Sequence, residues 1–514
     1  MTTPSPAILR FTGHPLVDVG IAGLCAFRSR KRPEELTLDD LDAAADFMEQ
    51  HYYEGKLNPY LTCVFMNSSF VQPNESPEKR ARFVQRYLRA HRAEIDPAVA
   101  GRRCVFSGEP AVSPLVRTHF PMFSGEGVMN FRPDGATSVP AAGAYVTSLM
   151  FLPMASRRAE GRLLAVHADD SATTIAFARR YLRDNQRLLA LALPTERALV
   201  YKDYEREIPG WDAQKKKHKF ADAKGPRSLL VSDLTTIAME AMPTDLRPRP
   251  VAIAAYWLSS SGQGPSLEIF SVPSGAVGFV VRAAQAETQT AWKHISSRFR
   301  PVRESVDGAP GKRPSKKAGA SVAGHAGWSK NMAFEDLCAI FEPGFTDRMA
   351  AARWLSTYVL GRRDGRSERA GADATYGEAS ARSWRLAEVF LEEVLGMERS
   401  RIETVKRFSD KVADFIAKKN DRKLWRSLAF EKLSEFQNRL RRAQQQSAGG
   451  ADGLLFGLDE YTAVWLHDDR DAYLIRDLIC IRTVERLHAQ GWFKQHPEDA
   501  LDKEDLENEV EASP

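Results

Sequence analysis

The sequence predicts an α+β protein, a mixed amino-terminal domain followed by a carboxy-terminal helical bundle. Three observations carry this reading. Up to about residue 300, short apolar runs, some bounded by glycine or proline, are interspersed with amphipathic helical stretches. Residues 302–327 nearly lose large apolar side chains and fill with Gly, Pro, Ser and Lys. From residue 331 onward, apolar residues recur at spacings of three and four, a pattern that buries one face of each helix against its neighbours.

The first element opens at residues 11–24, FTGHPLVDVGIAGL, where three glycines, a threonine and an aspartate precede or punctuate an apolar run. A phosphate-binding loop needs lysine and a hydroxyl residue just after its last glycine, and Gly20 is followed by Ile21, Ala22 and Gly23. Gly13, Gly20 and Gly23 also lack the dinucleotide spacing. The plain reading is a turn, with Thr12 or Asp18 capping a helix over 19–24. Helices are next expected over 39–53, with Leu41, Ala45 and Met48 on one side, and over 78–92. Strands are expected over 61–65, 163–167, 251–258 and 277–281. Asp169 and Asp170 read as a polar turn more readily than as a metal pair. In the bundle, Ile402, Val405, Phe408, Val412, Phe415 and Ile416 mark one helix. Leu424, Leu428, Leu433, Phe436 and Leu440 mark the next. Polar loops are expected at 361–380 and 447–453.

At 514 residues the chain is long enough for two to four domains. No apolar run approaches the ~20 residues of a membrane helix, and no secretory leader is evident, so a cytoplasmic location without membrane contact is expected. Five scattered cysteines fit a reducing compartment and make no disulfide framework. Residues 498–511 hold eight acidic residues against Lys503, a sum of −7. The rest of the chain therefore carries +12 where the whole carries +5. A basic body with an acidic, disordered tail (498–514) points to a polyanion partner.

The common catalytic and metal signatures are missing, and His14 and His119 are lone histidines of the kind that is usually structural. Basic segments are more informative. Lys215, Lys216, Lys217 and Lys219, between Trp211 and Phe220, could track phosphates or simply be solvated. Arg298, Arg300 and Arg303 lead into Lys312, Arg313, Lys316 and Lys317 in the 301–330 linker. On the bundle, Lys406, Arg407, Lys411, Lys418, Lys419, Arg422, Lys423 and Arg426 recur along adjoining helices, and Arg439, Arg441 and Arg442 extend the row. Such a row is also what an ordinary solvated face shows. Asn67, Ser68 and Gln72 flank Phe70 in NSSFVQP, a segment able to meet base edges and wedge or stack, or merely to turn the chain.

These blocks together resemble a known family. Thr12–Gly20, TGHPLVDVG, resembles the amino-terminal signature of the large subunit of type I CRISPR interference complexes, in the I-A/I-B branch. YYEGKLNPYL (52–61) and NSSFVQP (67–73) are similar to its next blocks, as is SVP (138–140) through LMFLP (149–153). FGLDEY (456–461) and IRDLICIR (475–482) resemble its closing helices. Within the family, the likeness is greatest to members of fruiting-body development operons. Many relatives carry two C-x-x-C pairs in a zinc-ribbon-like module, which here corresponds to residues 100–150. Cys104 keeps one cysteine of the first pair, and Ala142 to Tyr145 replace the second, so no metal or other cofactor is expected.

The resemblance implies a non-enzymatic large subunit of a crRNA-guided complex, one that binds target DNA, helps read the target-flanking motif and helps separate strands in antiviral defence. Its implied partners are crRNA, target DNA, a repeated backbone subunit and a crRNA-capping subunit, with small subunits and a recruited helicase-nuclease. It assigns the flanking-motif contact to Asn67, Ser68 and Gln72, phosphate grip to Lys215, Lys216, Lys217 and Lys219, and single-strand contact to Lys418, Lys419, Arg422, Lys423 and Arg426. The implied domains are an α+β domain over 1–300, a basic linker over 301–330 and a bundle over 331–497 that is similar to a small subunit. Three rivals stand beside this: a repurposed complex regulating fruiting-body development and sporulation, a nucleic-acid-processing enzyme of unrecognised type, and a plain scaffold.

Overall fold

The computed structural model describes residues 7–53, 57–65, 68–71, 75–116, 119–121, 138–192, 211–212, 217–218, 225–240, 251–260, 265–296, 299–300, 330–359, 384–449, 453–465 and 472–499. The fold is α+β, with a small antiparallel sheet and a helical carboxy-terminal region. Two compact units are present. One comprises Met1–Val277 and Phe299–Cys338, and the other Gly278–Arg298 and Ala339–Pro514. The chain thus passes between units three times instead of once near residue 300.

Helix α1 (Pro15–Phe27) is the centre of the first unit. His14, not Thr12 or Asp18, caps it: the imidazole Nδ1 accepts from the Val17 N–H at 3.5 Å. Asp18 instead staples the preceding turn, accepting from the Thr12 N–H (2.7 Å), the Thr12 hydroxyl (2.8 Å) and the Gly13 N–H (2.9 Å). Every residue from Leu16 to Cys25 is buried, as befits a helix apolar on all sides. Gly20 and Gly23 lie inside this helix, where they permit close approach. A Cβ on Gly20 would stand 2.2 Å from the Ser148 carbonyl oxygen. The glycines of the opening motif serve helix packing, not phosphate.

Helix α2 (Leu38–Tyr52) starts at a reciprocal capping box between Thr37 and Asp40 and buries Leu41, Ala45 and Met48. The expected strand at 61–65 is a helix, α3 (Asn58–Val64). Pro59 in its first turn outweighs the β-branched pattern, because proline at this position is already shaped for a helix. The single helix expected over 78–92 is broken: α4 (Pro77–Phe83) widens into a π turn over Val84–Leu88 and ends in a 3-10 turn, Ala90–Arg92. Strands β1 (Ser113–Leu115) and β2 (Val139–Ala141) pair antiparallel ahead of α5 (Gly143–Met150).

The main sheet follows. Strands β3 (Arg157–Ala159) and β4 (Arg162–Ala168) lead to α6 (Ser171–Ala192), with Asp170 accepting from the Thr173 N–H at 2.8 Å in the turn between. Asp169 accepts from the Ala252 N–H at 3.1 Å and so ties the end of β4 to the residue before the later strand Ile253–Ser259; of the expected polar turn, Asp170 alone bonds locally. After the short pair β5 (Trp211–Asp212) and β6 (Lys217–His218) come α7 (Pro226–Glu240), β7 (Ile253–Ser259) and β8 (Ser266–Val272). The sheet order is β3-β4-β7-β8, antiparallel throughout, with Leu163 opposite Leu258 and Ala255 opposite Phe270. Strands expected over 163–167 and 251–258 are therefore present. The strand expected at 277–281 is not. It belongs to helix α8 (Ser274–Ala283), whose Arg282 bonds Glu392 and Glu393 at 2.7 Å each, and whose Gly278 lets the Glu393 carboxylate approach.

Helix α9 (Gln289–Ser296) precedes β9 (Phe299–Arg300), which pairs antiparallel with β10 (Lys330–Asn331). Residues 301–329, which hold most of the expected linker, lie outside the described residues. Helix α10 (Met332–Ala339) is tied to α7, as Glu335 accepts from the Ser228 N–H at 3.0 Å.

The second unit is helical. Its first core gathers Phe279 and Trp292 with Trp354 of α11 (Arg348–Trp354) and Phe390 of α12 (Trp384–Glu393), the Phe279 ring lying 5.2–5.6 Å from the other three. Helix α13 (Arg399–Lys419) buries all six residues that mark it in the sequence. The next apolar row is two helices, α14 (Arg422–Ala429) and α15 (Leu433–Ala448), followed by α16 (Leu458–Trp465), α17 (Ala472–Ala489) and α18 (Trp492–Gln495). Arg482 and Arg486 of α17 bond Asp410 and Asp414 of α13, each at 2.7 Å, and this matched four-residue spacing fixes the register of the two helices. The loop expected at 361–380 lies outside the described residues, and α15 extends into the one expected at 447–453. No described helix is long and apolar enough to cross a membrane.

Candidate nucleic-acid interface

Five of the sequence-designated residues come together at the corner between α13 and α14. Asn420, in the left-handed region at φ 50°, ends α13, and Asp421 caps α14 by accepting from the Leu424 N–H at 3.0 Å. Leu424, Trp425 and Leu428 point inward, so Arg422, Lys423 and Arg426 project outward. Lys418, Lys419 and Lys423 are exposed. Lys418 and Lys419 also occupy the last turn of α13, where cations favour the helix dipole.

Arg422 and Arg426 are engaged within the chain. Their Nε–H groups donate to the two oxygens of the Asp499 carboxylate, at 2.7 Å for Arg426, and the Trp425 indole N–H donates to the Asp499 carbonyl at 3.0 Å. The Asp499 side chain is wholly buried, while the arginines stay 38% and 40% exposed. Trp425 is buried against Phe493 and Trp492. Among the described residues the corner thus brings together five cations, with Asp421 capping α14 and Asp499 held by the two arginines. Asp499 also corrects the expected tail: at least its start is folded. The signal for this in the sequence was Trp492-Phe493, an aromatic anchor just before the acidic run.

Three of the other six cations of the basic row face carboxylates. Lys406 donates to Glu388 at 3.1 Å, Lys411 to Glu460 at 2.6 Å, and Arg439 faces Glu431 at 3.6 Å. In the first unit, Ser68 is 1% exposed, and Phe70 is core, its ring packed on those of Tyr52, Tyr53, Phe65 and Phe83. A buried serine and a buried ring offer nothing to a base edge, and residues 68–71 form a turn over core, the Val71 N–H donating to the Ser68 carbonyl. Asn67 and Gln72 lie outside the described residues, as do Lys215, Lys216 and Lys219. The backbone of Lys217 is paired with Asp212 in the β5–β6 hairpin, where an open loop was expected.

No protein-family model, no curated protein and no solved structure matches the chain. The functional reading rests on the residues themselves. The module expected to be zinc-ribbon-like holds the single thiol of Cys104, which accepts from the Phe106 N–H. The Phe106 ring in turn packs on those of His14, Phe120 and Tyr145. One thiolate among aromatic rings does not fit zinc, and no metal-holding group of three or more ligands occurs among the described residues. Burial lowers the pKa of His14, and it brings that of His119, stacked 3.8 Å from Tyr87, down to about 3. His119 is therefore neutral at ordinary pH.

Proposed function

We propose that this chain is the non-catalytic large subunit of a crRNA-guided type I interference complex, acting in the cytoplasm, in which the α13–α14 corner contacts the displaced DNA strand. The observation that carries the reading is the clustering of five cations, three of them exposed lysines, at that corner, on a helical unit whose α16 and α17 hold the motifs similar to the family's closing helices. Lysines and arginines held on rigid helices track a phosphodiester backbone without reading sequence, which suits a strand of any sequence. Repeated backbone and capping subunits, with crRNA, are the partners of this reading. A role of the same complex in fruiting-body development draws on the sequence likeness to members of development operons.

Affinity capture of the tagged chain from its host, with bound RNA sequenced and co-purifying proteins identified, tests the proposal. Short repeat–spacer RNAs with a multicopy backbone protein support it; a chain recovered alone and free of RNA overturns it. For the corner itself, K418E/K419E/K423E is expected to weaken single-strand binding and flatten its salt dependence by about 0.7 log units per lost contact. Unchanged binding would remove the corner from the interface.

A further inference from the structure

The Asp499 contact gives the corner a second property. We propose that the Arg422–Arg426 pair is a phosphodiester-binding site that the chain's own Asp499 occupies in the free protein, so that a nucleic-acid strand and the 497–499 segment compete for it. This rests on the nucleic-acid reading of the corner and adds its regulation.

The geometry is that of anion capture. Two arginines one helical turn apart direct their Nε–H groups at the two oxygens of one carboxylate. A phosphate presents the same pair of acceptor oxygens, and the guanidinium fork suits both. The two arginines remain more than one-third exposed, so each has a solvent-facing side that a strand can approach while Asp499 is still in place. Exposed Lys423 lies between them in sequence, and exposed Lys418 and Lys419 end the preceding helix, extending the cationic track beyond the carboxylate. Asp499 is held by few bonds: its carboxylate by the two arginines, its carbonyl by Trp425, and its N–H by the His496 carbonyl at 3.1 Å. A contact made by the single 3-10 turn Pro497–Asp499 opens locally more readily than a helix–helix core.

The test uses the full chain and an oligo(dT) single strand across a salt titration. D499N keeps the shape and removes the charge. The expected result is tighter binding, by about tenfold at 0.1 M salt, with a log–log salt slope steeper by about 1.4, the value for two added single-strand phosphate contacts. The gain is expected to vanish in D499N/R422Q/R426Q. On the unaltered chain, saturating oligo(dT) is expected to speed amide hydrogen exchange at Asp499, whose N–H is held by the His496 carbonyl. W425F, which loosens the same segment and keeps every charge, is expected to bind up to about fivefold tighter, the worth of one hydrogen bond; it serves if D499N does not fold. Equal binding by the unaltered chain and the loosened variants, or unchanged protection of the Asp499 amide, overturns the competition and leaves the nucleic-acid reading standing. Failure of all of them to bind at low salt overturns both.

Discussion

Gly20→Ala tests whether the opening glycines exist for helix packing. An ideal Cβ at Gly20 stands 2.2 Å from the Ser148 carbonyl oxygen and 2.8 Å from its carbon, whereas ordinary contact begins at 3.4 Å. Helices α1 and α5 must therefore separate by about 1.2 Å, the difference between those distances, and the obstacle is backbone that has no rotamer to change. Overpacking of this kind costs about 1–3 kcal/mol or more, and the better helix propensity of alanine returns about 1 kcal/mol. We expect a net loss of about 2 kcal/mol, or roughly a thirtyfold rise in the local opening equilibrium. Native-state hydrogen exchange of α1 and α5 amides reads this unit by itself, which a global melt of a two-unit chain does not. Gly23→Ala meets side chains, the Ala155 Cβ at 2.7 Å and the Phe151 ring at 2.9 Å, and should cost less. Gly449→Ala, with nothing nearer than 3.6 Å, should be silent. Exchange in Gly20→Ala as slow as in Gly449→Ala would refute the packing argument.

Three further outcomes follow from buried polar groups. Asn185→Leu removes an amide that donates to the Met154 and Ser156 carbonyls at 3.0 and 2.8 Å; a loss of roughly 2–3 kcal/mol is expected in the exchange of residues 153–156. Arg476→Met strips the Leu428 carbonyl of two bonds, at 3.1 and 2.9 Å, so thermal melting should fall and the α14 end should fray first in hydrogen exchange. Asp40 is buried, which favours its neutral form, yet hydrogen bonds from Arg30 and Arg28 hold its carboxyl down at about 2. Its folded pKa lies below its unfolded one, so its contribution is complete above about pH 4 and is lost as pH falls toward 2. With half-exposed arginines this is on the order of 1–2 kcal/mol, and Asp40→Asn should lose that part of the acid-unfolding slope.

Long periodic patterns were legible in the sequence. Helices α2 and α13 and strands β4 and β7 sit where periodicity and composition put them, because each buries one sustained face. Short β-branched runs misled: residues 61–65 and 277–281 look like strands, but Pro59 in one case and packing of Phe279 in the other make them helices. At the candidate site, the charge of the α13–α14 corner was legible. Its pairing was not, since Arg422 and Asp499 are 77 residues apart and no local rule joins them. The same holds for Lys406 with Glu388 and Lys411 with Glu460, which turn an apparent cationic row into ion pairs between helices.

The passage of residues 278–298 into the helical unit has a consequence for synthesis. Arg282 emerges 110 residues ahead of Glu392, and Phe279 and Trp292 emerge well before Trp354 and Phe390. At about 5–20 residues per second, these aromatic side chains wait on the order of 5–20 s for their partners. During that interval they are ligands for a chaperone and sites for premature association. A separate translation product beginning after residue 300 would never contain them, and would have to cover Trp354 and Phe390 with something else.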